Sequence, residues 1–120
     1  MLKPGGNLVL RDLFSLDVIA DTIEWQPFKE GVDIHPLYGS SESGPSAALL
    51  RYERGARVPM HVHQGYEHIV IVAGSQTDGS DVYERGTLLI SAPGSRHHVA
   101  SDDGCVVLAI WQAPVSFQLG

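Results

Sequence analysis

Three histidines and a glutamate fall within "HVHQGYEH", residues 61 to 68 of a chain with six histidines in all. Side chains at i and i+2 of an extended segment share a face, so His61 and His63 project together if "RVPMHVH" is a strand. After a tight turn at Gln64-Gly65, an antiparallel return brings the Glu67 carboxylate beside the two imidazoles. A second pair, His97 and His98, follows the turn "APGS", and one of its members would complete a set of four. Imidazoles with one carboxylate suit iron, manganese, nickel, copper or zinc, and the absence of thiolates speaks against a thiolate-rich structural zinc site. An isolated HxH reads more readily as the polar edge of a solvated strand, so the surrounding pattern has to decide.

Those residues must be positioned by short strands. Turn formers recur at Gly44-Pro45, Gly55, Gly65, Gly74, Asp78-Gly79, Gly86, Pro93-Gly94 and Asp103-Gly104. Between them run "SAALLRYE", "RVPMHVH", "EHIVIVA", "DVYE", "TLLIS", "RHHVA" and "CVVLAIW", none long enough for a helix. Regularly punctuated short strands predict an all-β sandwich or barrel. Several runs are apolar at both parities, "IVIVA" and "VVLAIW" among them, which predicts strands covered on both faces by a core and by a second sheet or subunit. A homodimer is the expectation. Residues 1–43 are less regular and read as an N-terminal arm with extra strands, packed on a barrel formed by residues 44–120.

The 120 residues suffice for a single domain with one core. A net charge of −6 and eight scattered Lys and Arg argue against a nucleic-acid or anionic-membrane partner. A small-molecule ligand or substrate remains. One cysteine, Cys105, excludes an intramolecular disulfide and reads as a small buried hydrophobe in "GCVVLAIW". Arg11, Asp12 and Asp17 interrupt the apolar positions at the start of the chain, so no secretory or membrane-spanning segment is expected there, and the protein is read as cytoplasmic.

The stretch "GARVPMHVHQGYEHIVIVAG" spells Gly, five residues, His, one, His, three, Glu, six, Gly. It resembles the first motif of the cupin superfamily without any departure in spacing. "GTLLISAPGSRHHV" resembles the second, except that Pro93 directly precedes Gly94 where cupins have Pro-x-Gly. Within the superfamily the chain is most similar to the ChrR-type cupins, in "EWQPFKEGVDIHPLY", in both motif regions and in the strand that follows. The resemblance implies a double-stranded β-helix, or jelly-roll barrel. It also implies one divalent transition metal per chain (Fe, Mn, Ni or Zn) with His61, His63, Glu67 and His97 as ligands. His98 would point outward, and His68 stands where that group often doubles the glutamate.

For function, the resemblance implies oxygen-dependent, dioxygenase-like chemistry on a small organic molecule, with a non-catalytic sensing or binding cupin as the alternative. Diketone-cleaving cupins carry three histidines and no carboxylate ligand, so Glu67 sets this chain apart from them. ChrR itself pairs its cupin with a zinc-binding helical domain that holds a sigma factor. This chain has no cysteine- and histidine-rich segment of that kind, which argues against a direct anti-sigma role. Tyr52, Tyr66, Arg51, Arg57 and Arg96 are candidates to reach the cavity. Trp25, Trp111, Phe28 and Phe14 read as core or interface aromatics, and His35 as a surface or packing histidine.

Overall fold

A computed structural model describes residues 2–15 and 23–117. Apart from a 3-10 turn at Leu13–Ser15, the regular structure among the described residues is antiparallel β. The strands are β1 (Gln26–Lys29), β2 (Val32–Tyr38), β3 (Ser46–Tyr52), β4 (Ala56–His63), β5 (Glu67–Asp78), β6 (Asp81–Glu84), β7 (Leu88–Ser91), β8 (Arg96–Ser101), β9 (Cys105–Trp111) and β10 (Val115–Phe117). They pair in the order β1-β2-β3-β9-β5-β8-β4-β10, with β6 and β7 also on β5. The result is a curled jelly-roll barrel in which β5 belongs to both faces. Its first half pairs with β7 and β9, and its second half with β6 and β8. No helix among the described residues is long and apolar enough to cross a membrane.

Inside the barrel, Val32, Ile34, Leu50, Tyr52, Val58, Ile69, Ile71, Val99, Val107 and Trp111 form one buried cluster. Outside the sheet, Leu37, Leu49, Val72 and Val106 form a second, against which Leu13, Ile23 and Trp25 pack. The two-sided apolarity of "IVIVA" and "VVLAIW" therefore has a local cause: residues of the N-terminal arm cover part of the outer face. The arm's β1 and β2 extend the sheet from β3, and Val32 and Ile34 of β2 enter the inner core.

Two irregularities decide which side chains face inward. On β4, Ala56 and Val58 point into the core at even positions, whereas His61 and His63 do so at odd ones. The register slip between Val58 and His61 supplies the extra residue that switches the parity. On β5, Glu67, Ile69 and Ile71 face inward, then a slip between Ile71 and Ala73 switches the inward face to Gln76 and Asp78. Gly74 follows at φ +73°, and a Cβ there would overlap the carbonyl oxygen of Gly104. The strand reads from the sequence as ending before Gly74, but it turns the corner and continues to Asp78.

Candidate metal centre

His61 and His97 stand opposite each other on β4 and β8. His63 lies two residues along β4, and Glu67 opens β5 beside Trp111 of β9. His61, His63 and Glu67 are buried and His97 is nearly so. Each residue offers one ligand atom, and these four atoms lie within 4.8 Å of one another. The imidazole centroids of His61 and His63 are 4.4 and 4.5 Å from that of His97. His98, the neighbour of His97, is exposed and takes no part, and His68 lies on the opposite face from Glu67. His35 sits apart, its Nδ1 2.8 Å from the carbonyl of Glu24.

The three imidazoles are tied at the same nitrogen. His61 Nδ1 lies 2.9 Å from the carbonyl of Pro59 in the β4 bulge. His97 Nδ1 lies 2.9 Å from Oδ2 of Asp78, at the far end of β5. His63 Nδ1 lies 2.9 Å from the hydroxyl of Ser95, whose own proton is donated to the Ala92 carbonyl at 2.5 Å, so the Ser95 oxygen accepts. With Nδ1–H donating outward in each ring, the Nε2 atoms are left for a common centre, where that of His63 meets the Glu67 carboxylate. This arrangement fixes the tautomer of metal-ligating histidines. Metal–nitrogen bonds of about 2.1 Å allow ligand atoms to stand no more than about 4.2 Å apart, so drawing the set in by a few tenths of an ångström would close it around one ion. The donor set and its geometry fit a divalent transition metal.

Asp78→Asn keeps the shape of the side chain but removes the carboxylate that holds His97. Metal affinity is expected to fall about 10- to 100-fold, read by chelator competition, while the melting temperature of the metal-free protein changes little because Asp78 is partly exposed.

Glu67 is held from both sides. The Trp111 indole N–H donates to Oε2 at 2.6 Å, and His63 Nε2 approaches Oε1 at 3.0 Å. Burial alone would raise the Glu67 carboxyl, but the hydrogen bond and charge of His63, with Trp111 and His97 adding to them, outweigh it and hold the value below the ordinary carboxylate range. Burial likewise favours neutral His63, yet its bond to Glu67 and the carboxylate charge raise its value. His61, with burial dominant, is lowered and stays neutral.

A metal bound through His63 Nε2 would have to displace the proton that this nitrogen shares with Glu67. The sign follows from the raised value: the proton-bound pair stabilises the metal-free fold fully below the unfolded histidine value, and that contribution is lost as pH rises through the folded one. Glu67, lowered, contributes above its unfolded value and loses its contribution as pH falls through its folded one. Metal binding is accordingly expected to release a proton near neutral pH. The metal-induced rise in melting temperature should shrink as pH falls through the imidazole range and be gone by about pH 5, as calorimetry at several pH values would show.

A cavity of about 50 Å³ adjoins the cluster, walled by His61, Glu67 and His97 on one side and by Val58, Ile69 and Val99 on another. Tyr52 and Gln76 are its other polar residues. Burial, with the charges of Cys105 and Glu67, pushes the Tyr52 phenol far up, so it stays a neutral hydroxyl. Of the five cavity candidates, Tyr52 alone lines this space. Arg51 pairs with Asp33 at 3.0 Å and stacks on Trp25, while Tyr66, Arg57 and Arg96 are exposed. Cys105 is buried with its thiol pushed up to about 11, an inert position. Asp78, Ser95 and the Glu67-binding role of Trp111 did not emerge from the sequence.

A jelly-roll barrel whose inner wall gathers three histidines and a glutamate at the two-motif spacing defines the chain as a cupin. The model of the ChrR Cupin-like domain family matches residues 16–115, and the chain belongs to that family. No curated protein sequence matches it significantly. Among solved structures it is similar to a protein from Methylibium petroleiphilum PM1 provisionally assigned as an acetylacetone dioxygenase (19% identity, 99% of this chain and 86% of that one, TM-score 0.75). It is also similar to an acetylacetone dioxygenase from Acinetobacter johnsonii (16%, 78% and 70%, TM-score 0.70). A third is the anti-sigma factor ChrR of Rhodobacter sphaeroides in complex with SigE (24%, 80% and 54%, TM-score 0.66). The chain thus spans about half the length of ChrR and about two thirds of other cupins that it matches. At these identities the likeness is one of fold.

Proposed function

We propose that the protein is a metal-dependent cupin that carries out oxygen-dependent, dioxygenase-like chemistry on a small organic molecule. His61, His63, Glu67 and His97 hold one divalent ion (Fe, Mn, Ni or Zn). The observation that carries this reading is that the three histidines are each held through Nδ1, which leaves Nε2 toward the cluster they form with Glu67, with His61, Glu67 and His97 at the edge of an apolar cavity. Such an ion, when bound, would supply Lewis acidity and any coordination position the four residues leave open to exogenous ligands. The protein's part is to hold and orient. Trp111 fixes one carboxylate oxygen of Glu67 so that the other faces the centre, Val58, Ile69 and Val99 exclude water, and Tyr52 and Gln76 offer hydrogen bonds across the cavity.

The test is elemental analysis of untagged protein, with a His61→Ala, His63→Ala variant beside it, followed by oxygen uptake of the iron-loaded protein with diketones and related acids. About one ion per chain, lost in the variant, together with substrate-dependent oxygen uptake supports the proposal. Retained metal in the variant would remove the site.

The alternative is a sensing cupin, favoured by the cavity, whose 50 Å³ falls well short of an ordinary substrate pocket. Tightly held zinc with four protein ligands and no oxygen uptake would select it.

We further propose that two copies pair through the outer face of the sheet, where Leu88 and Ile90 are 57% and 58% exposed beside half-buried Val70, Leu108 and Ile110. Light scattering should give a dimer mass, and Ile90→Asp a monomer of unchanged metal content.

A further inference from the structure

A second, larger hollow lies beside the first. A groove of about 990 Å³ opens between β1, β2 and the loop that leads into β3, and it reaches inward to Phe28, Trp111 and Val115. Those three residues also line the 50 Å³ cavity at the metal cluster. They form the partition between a space large enough for an organic molecule and one that is not.

The partition's members are not equally fixed. Trp111 is buried in β9 and bonded through its indole N–H to Glu67, and Val115 is held in β10 against His63. Phe28 is different. It sits on the four-residue edge strand β1, where the register slips between Pro27 and Lys29, so it is the residue left without a partner on β2. A bulge on an edge strand re-aims a side chain, and here it turns an aromatic ring inward against the core at the inner end of the groove. That ring has no polar anchor, and the ammonium of Lys29 lies 5.4 Å from its centroid on the groove side.

We infer that the groove is the binding site for the organic body of the ligand and that Phe28 sets how large a molecule reaches the metal. The inference rests on the metal reading above and adds to it a site and a specificity-determining residue. The groove wall is mixed, with apolar Pro27, Ile34, Pro36 and Pro114 interspersed with polar Glu24 and His35, so it suits a molecule with an apolar body, polar substituents and one metal-binding end. With Phe28 in place, the cavity beyond admits only a ligand of a few atoms. With Phe28 shortened, groove and cavity become one.

Cobalt-loaded protein tests this, because ligand binding at cobalt changes its visible spectrum without any turnover. Azide is the small probe and 4-phenylimidazole the large one. Phe28→Ala is expected to tighten 4-phenylimidazole binding about tenfold or more and to leave azide affinity within about twofold, with Phe28→Leu between the two proteins. Phe28→Leu keeps the core contact and carries the test by itself should the alanine variant fold poorly. Equal changes for both probes, or no change in a variant that holds cobalt, would overturn the role of Phe28 and leave the metal centre standing. Failure of the unaltered protein to retain cobalt would overturn the metal reading and this inference together.

Discussion

His63→Ala is expected to leave the protein without retained metal and to abolish the thermal stabilisation that metal confers. His63 is the most buried of the four donors, at 1% exposure, and is fixed through Nδ1 by Ser95. Changes to groups that merely orient a ligand cost up to about 100-fold in metal affinity, so loss of a donor should cost more than that. An ion present at a thousand times its dissociation constant stabilises a fold by about 4 kcal/mol, and in a domain of this size each kcal/mol moves the melting temperature by about 4 °C. The unaltered protein should therefore melt roughly 15 °C higher with metal than without, and the variant at the same temperature in both conditions. The variant's metal-free fold will itself be weaker, since a buried carboxylate that loses its charged partner costs about 3–5 kcal/mol. The informative quantity is thus the metal-dependent difference within each protein. His98→Ala, at the exposed neighbouring position, should retain both metal and the difference; loss of metal there would exchange the roles assigned to His97 and His98.

The second large effect concerns a residue with no side chain. Gly74→Ala is expected to destabilise the protein by about 4 kcal/mol or more, a size reserved for a few named causes. Two of them coincide here. The backbone at φ +73° costs a residue with a Cβ about 1–2 kcal/mol. The added methyl would also overlap the Gly104 carbonyl, part of a rigid turn that cannot yield as a side chain would. Gly79→Ala is the control, since its φ is +64° but no atom lies within 4 Å of the added carbon. It should lose only the conformational part. Urea titration of the two variants separates the contributions, and similar midpoints would show that the steric overlap at Gly74 relaxes away.

Strand periodicity made the histidine cluster legible but left its supports unseen. Period-two alternation places His61 with His63, and Glu67 with Ile69 and Ile71, and the inner clusters follow those parities. Alternation fails at bulges, because a single extra residue reverses every side chain beyond it. Extending the parity of Glu67 along β5 would send Asp78 outward, and Asp78-Gly79 reads as a plain turn signal. The slip between Ile71 and Ala73 turns Asp78 inward to His97. Ser95 escaped notice because its contact with His63 spans 32 residues and depends on how a turn packs against another strand. Trp111 reads as a core aromatic, and it is one, but its N–H acquires meaning only through register with Glu67. The N-terminal arm hides the same way: Leu13 and Trp25 give no periodic signal, yet they cover Leu49 and Val72.

The shared strand β5 has a consequence for how the site comes into being. Its start provides Glu67, its end provides Asp78, and both meet His97, which arrives on a different strand that pairs with β4 and with the tail of β5. No hairpin of neighbouring strands assembles the four donors on its own. Pairings between distant parts of the chain form late, after the loop-closure entropy has been overcome. A nascent or half-folded chain thus presents scattered histidines with little selectivity, and a set of donors able to discriminate among ions exists only once the barrel has closed. If the four donors hold an ion as proposed, its identity is decided in the finished protein, by exchange with whatever ions its surroundings supply, and the order of synthesis leaves no imprint on it.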